Sequence, residues 1–94
     1  MTADAGLLAL LDRALAMTED RSRGVPVDTS VHAMFASLRR QLDAMRAEVA
    51  AGEVMTVEQR NSLTLGVIAV REFEADDPEY CDVLCDAVFR FRAG

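Results

Sequence analysis

The sequence predicts an all-α protein: a compact antiparallel bundle of four helices over about residues 4–21, 29–51, 56–75 and 77–92. Three observations predict it. Apolar residues recur three and four apart through long stretches of the chain. Only "LTLGVIAV" has strand composition, and a lone strand would find no pairing partner. Gly, Pro and capping residues fall where such helices should end. Ninety-four residues make one domain, 1–94, large enough to fold around its own core. With 51% apolar and 28% charged residues the composition is globular rather than disordered.

In the first element, Leu7, Leu8, Leu11, Ala14, Leu15 and Thr18 form a helical stripe, and Leu10 and Met17 widen it. Asp4 is the candidate cap, and Gly24 and Pro26 in "RSRGVPVD" break the helix. In the second, Val31, Phe35, Leu38, Leu42, Met45 and Val49 make a continuous seam. Thr29 or Ser30 caps its start, and Gly52 stands where a left-handed residue is wanted. The seam serves either as internal core, the expectation, or as a homodimer interface.

A capping box, Thr56 to Gln59, starts the third helix and turns "LTLGVIAV" from strand to helix. It places Leu63, Gly66, Val67, Val70 and Phe73 or Glu74 along one side, with Gly66 kept for close approach of another helix. Asp76 or Asp77 then caps the fourth helix, Pro78 takes its first position and Glu79 its first turn. That helix is expected to turn Cys81, Leu84, Cys85, Val88 and Phe91 inward.

Cys81 and Cys85 share a helix face but cannot close a good disulfide within one helix, so they read as small packed hydrophobes. His32, the single His, has no ligand set or nucleophile in relation to it, and no metal is expected. There is no phosphate loop, no Cys/His cluster and no catalytic triad order. The acids between Glu72 and Glu79 lack a pocket that would shift a carboxyl for acid–base work. The expectation is no catalytic residue, no cofactor and no enzyme. The N-terminus lacks a basic leader region, and no run reaches the roughly 20 apolar residues of a membrane span, so the expected location is cytoplasmic.

Charge is uneven. Residues 1–60 hold nine acids against seven arginines, whereas residues 61–94 hold seven against three. All ten basic residues are Arg, and the net charge is −6. Such a chain repels nucleic acid and anionic membrane and is steered toward a basic partner.

The block "LTLGVIAVREFEADDPE" resembles one found in small all-helical immunity proteins of bacterial type VI secretion systems. Those proteins neutralise a secreted effector that hydrolyses NAD and NADP. The similarity rests on Leu63-Thr64-Leu65-Gly66, Ile68-Ala69-Val70, Glu72-Phe73 and Asp77-Pro78-Glu79, with "LDRALA" (Leu11–Ala16) and, more loosely, "SLRRQLDAMR" (Ser37–Arg46). It weakens in "RSRGVPVD" and after Cys81. The resemblance implies an all-helical, non-catalytic inhibitor whose partner is a cognate toxin domain, an NAD(P)+ glycohydrolase, blocked at its active site. A toxin that binds an anionic dinucleotide should present a positive cleft. The candidate toxin-binding residues are therefore Glu72, Glu74, Asp76, Asp77 and Glu79, with Arg71 and Tyr80 adjoining. The competing explanation is that Asp76, Asp77 and Glu79 only cap a helix. From another class, the chain reads as a helical adaptor or structural homodimer without a toxin partner.

Overall fold

Side-chain caps decide where the first two helices begin. The Asp4 carboxylate accepts from the Leu7 amide at 3.0 Å and opens α1, Ala5–Ser22. The Thr29 hydroxyl accepts from the His32 amide at 3.2 Å and opens α2, Ser30–Ala51. Gly52 closes α2 with φ of 72°, its amide returning to the Glu48 carbonyl at 2.9 Å. Two further helices follow, α3 (Leu65–Phe73) and α4 (Pro78–Ala93). The computed structural model describes residues 4–52, 56–58 and 62–93, and no strand occurs among them. None of their helices is long and apolar enough to cross a membrane.

The first helix packs against both α2 and α4, and α3 packs on α4. Leu7, Leu11 and Ala14 of α1 meet Phe35, Leu38, Leu42 and Met45 of α2 in one core. The α2 seam is thus core, as expected, although its ends differ: Val49 is half-buried and Val31 is exposed. From α4 come Tyr80, Cys81, Val83, Leu84, Ala87 and Phe91. The expected inward set missed Tyr80, Val83 and Ala87 and over-weighted Cys85 and Val88, which are half-buried. An α4 contacted by α1 and by α3 needs two buried stripes, not one.

The third helix departs most from expectation. It runs from Leu65 to Phe73 rather than 56–75, because a side chain from α2 sets its start. Gln41 Oε1 accepts from the amides of Thr64 at 2.7 Å and Leu65 at 2.9 Å, and its Nε2 donates to Thr64 Oγ1 at 3.0 Å. Those bonds satisfy donors that no earlier helical turn could take, since Ser62, Leu63 and Thr64 are not helical. The proposed Thr56–Gln59 capping box lies partly outside the described residues. The inward face also differs: Leu65 and Ala69 are fully buried, while Val67 and Val70 are 66% and 49% exposed.

Gly66 needs no close approach within the chain. A Cβ built there meets only Val88 Cγ1 at 3.9 Å, ordinary contact distance. Gly66→Ala is accordingly expected to stabilise the protein by about 0.5–1 kcal/mol through helix propensity and a less flexible unfolded chain. Urea unfolding at low protein concentration checks this, with a higher midpoint and unchanged slope as the expected result.

Candidate functional site

The acidic corner between α3 and α4 is built around a buried phenol. Tyr80 is fully buried two residues into α4. Its hydroxyl lies 2.5 Å from Thr18 Oγ1, and the Thr18 hydroxyl donates to the Ala14 carbonyl at 2.7 Å. With the threonine proton committed to that carbonyl, Tyr80 must be the donor to Thr18. Phe73, the last residue of α3, and Tyr80 meet edge to face with ring centroids 4.8 Å apart, and the Phe35 ring of α2 lies 5.9 Å, centroid to centroid, from Phe73. Burial pushes the Tyr80 phenol above its ordinary value, so it stays protonated and remains a donor at neutral pH.

Arg21, near the end of α1, covers the open face of this ring. Its guanidinium carbon sits 4.8 Å from the Tyr80 centroid. The same group forks onto Asp77, with Nε at 2.5 Å from Oδ2 and Nη2 at 3.3 Å from Oδ1. Asp77 Oδ1 also accepts from the Tyr80 amide at 3.4 Å, so this carboxylate caps α4 while it pairs with Arg21. The hydrogen bond from Arg21 holds the Asp77 carboxyl below the usual range and raises Arg21 in turn.

The residues named from sequence thus divide in two. Tyr80 is interior and offers no surface to a partner. Asp77 is half-buried and committed to Arg21 and to the cap. Glu72, Glu74, Asp76 and Glu79 are exposed around the corner, together with Arg71. Arg71 Nε pairs with Glu72 at 2.9 Å, and Glu79 reaches Arg13 of α1 at 3.3 Å. Both pairs are open to water and contribute little to stability. The capping explanation therefore accounts for Asp77 but not for Glu72, Glu74 or Asp76.

Sequence reasoning did not include Asp82 and Asp86 among the site residues. They continue the acidic line from Glu79 along α4, beside a groove of about 300 Å³ also lined by Leu10, Arg13 and Val83. Their three- and four-residue spacing from Glu79 was the available signal. Among the described residues no group of three or more His, Cys, Asp and Glu side chains could hold a metal ion. Cys81 and Cys85 are free, and burial pushes the Cys81 thiol up to about 11, which leaves it a poor nucleophile.

The sequence model of the Tsi6 family matches residues 6–93. The chain belongs to the Tsi6 family. Tsi6 from Pseudomonas aeruginosa is 33% identical, with 97% of this chain and 95% of that one covered, and superposes with a TM-score of 0.77. A chain in the structure of Tse6 in complex with Tsi6 is 32% identical over 92% of this chain and 86% of its own, again with a TM-score of 0.77. Among curated proteins none matches. The small all-helical immunity family expected from the Leu63–Glu79 block is the one found.

The Arg21–Asp77 pair makes a pH-dependent contribution of known sign. Because the folded-state carboxyl is lowered, its stabilisation is complete above the unfolded value of about 3.9 and is lost as pH falls through the folded one. Asp77→Asn keeps a good N-cap but removes the charge. It should cost about 1 kcal/mol at pH 7, a pair partly screened by solvent. Urea unfolding at stepped pH is expected to show that difference shrinking below about pH 4 and vanishing once the wild-type carboxyl is protonated.

Proposed function

We propose that this chain is an immunity protein that binds a cognate type VI secretion effector and inhibits it without catalysis of its own. The observation that carries the reading is the match, over most of both chains, to a structure of Tse6 in complex with Tsi6. The finer reading is that the effector is an NAD(P)+ glycohydrolase toxin, met in the cytoplasm and blocked at its nucleotide site. The exposed acids Glu72, Glu74, Asp76 and Glu79 suit that role. They concentrate negative charge on a short rigid corner, where it can compete for a cleft made to hold an anionic dinucleotide. Arg71 adjoins them. Asp77 and Tyr80 act beneath the surface by holding the corner in shape.

An adaptor or structural homodimer built on the α2 seam is disfavoured, because Phe35, Leu38, Leu42 and Met45 are buried within the chain and leave no seam to share.

Co-expression with the effector encoded beside it, followed by a complex assay and NAD consumption, tests the proposal. A stoichiometric complex with NAD hydrolysis abolished is the expected outcome. Reversing two exposed charges, Glu72→Arg with Asp76→Arg, should weaken binding by about tenfold or more at low salt and by less at high salt, chiefly through slower association. Unchanged affinity at both salt concentrations would remove the acidic corner from the interface. No complex at all would remove the function.

A further inference from the structure

On the other flank of α3 the described residues expose apolar surface. Phe89 of α4 is 72% exposed, and Val67 and Val70 of α3 are 66% and 49% exposed. A valine is a poorer helix former than alanine, so two exposed valines in a nine-residue helix weaken it unless something packs on them. Phe89 forms one wall of an open hollow of about 480 Å³, lined also by Gly66, Cys85, Val88, Arg92 and Ala93. Gly66, for which the chain itself has no steric need, contributes no side chain to that hollow. An exposed ring and the recess it borders therefore sit on one face, so a two-fold contact brings each ring to the recess of the other copy.

The charges along this face are also ordered. Cys81, Cys85, Val88 and Arg92 form one stripe of α4, at helical spacing. Asp82, and Glu74 one turn beyond Val70, lie near its Cys81 end, both close enough to act on that thiol electrostatically. Arg92 marks the other end, about 16 Å away at 1.5 Å per residue. The face is thus acidic at one end, apolar in the middle and basic at the other. Turned end for end on itself, it brings opposite charges together. The net charge of −6 opposes association only weakly, because charges farther apart than a Debye length of about 8 Å are screened at physiological salt.

We propose that this α3–α4 face docks against the same face of a second copy of the chain in an antiparallel two-fold arrangement. Phe89 of each copy enters the hollow of the other, and Arg92 of each meets Glu74 of the other. Of the exposed acids, Glu74 is given to this contact, while Glu72 on another stripe of α3, Asp76 in the turn and Glu79 on another stripe of α4 stay available to an effector.

Sedimentation and light scattering of the protein alone, across a concentration series, test the proposal independently of any effector. The wild-type mass should rise from 10.3 kDa toward twice that value. F89E, a change at an exposed site, should hold the mass at 10.3 kDa with helix content unaltered in circular dichroism. R92E and E74R should each weaken dimerisation by about tenfold, and the double charge swap should restore it to within about threefold of wild type. A mass of 10.3 kDa at every concentration up to about 1 mM would overturn the proposal. So would a dimer that survives F89E, or a charge swap that restores nothing. A monomer whose F89E variant loses effector affinity would overturn it too, and would assign the face to the effector.

Discussion

Tyr80 is the joint on which the arrangement depends. One phenol buried at the start of α4 holds α1 through Thr18 and Arg21 and meets α3 through Phe73, which in turn touches Phe35 of α2. Helices α1 to α4 converge on two aromatic rings. Each contact constrains the next, because a buried hydroxyl left without a partner costs about 1–3 kcal/mol and the ring can satisfy its hydroxyl in one orientation only. The rest of the corner follows from that orientation. With Phe73 against Tyr80, the chain turns over residues 74–76, and Asp77 arrives at the start of α4 beside Arg21.

This joint explains how a small helical protein displays charge rigidly. Exposed carboxylates on a mobile loop would lose conformational entropy on binding. Here the turn carrying Glu74 and Asp76 spans only residues 74–76 and is pinned at both sides, by Phe73 and by Asp77. The acids that sit on the surface and the acid that holds the structure are neighbours in sequence with different tasks. Electrostatic steering toward a basic partner comes from the exposed set. The shape that partner meets comes from the half-buried Arg21–Asp77 pair and the phenol beneath it.

The helical class, the α1 stripe, the α2 seam and the Asp77–Pro78 start of α4 were legible in the sequence because each depends on local spacing or a neighbouring cap. The family was legible too, from the α3 block. The phase of α3 was not. Its first amides are held by Gln41, twenty-three residues away in α2, and no local pattern announces a cap of that kind. Starting the helix at Thr56 instead put Val67 and Val70 inside and left Leu65 and Ala69 out of the inward set. Tyr80 was misplaced for a related reason: an aromatic residue among acids reads as a surface contact, and its burial depends on Thr18 and Arg21 at the far end of α1. Phe89 carried no distinguishing signal, since a phenylalanine on a predicted helix is ordinarily core.

The central claim is that an effector meets the exposed side of the Tyr80-supported corner. Hydrogen-exchange mass spectrometry of the chain with and without its bound effector tests it most directly. The account predicts added protection confined to the segment from Arg71 to Glu79 and the adjoining first turn of α4, with the outer face of α2 around Arg39, Arg40 and Asp43 unchanged. Protection on that α2 face with the corner unaltered would contradict it.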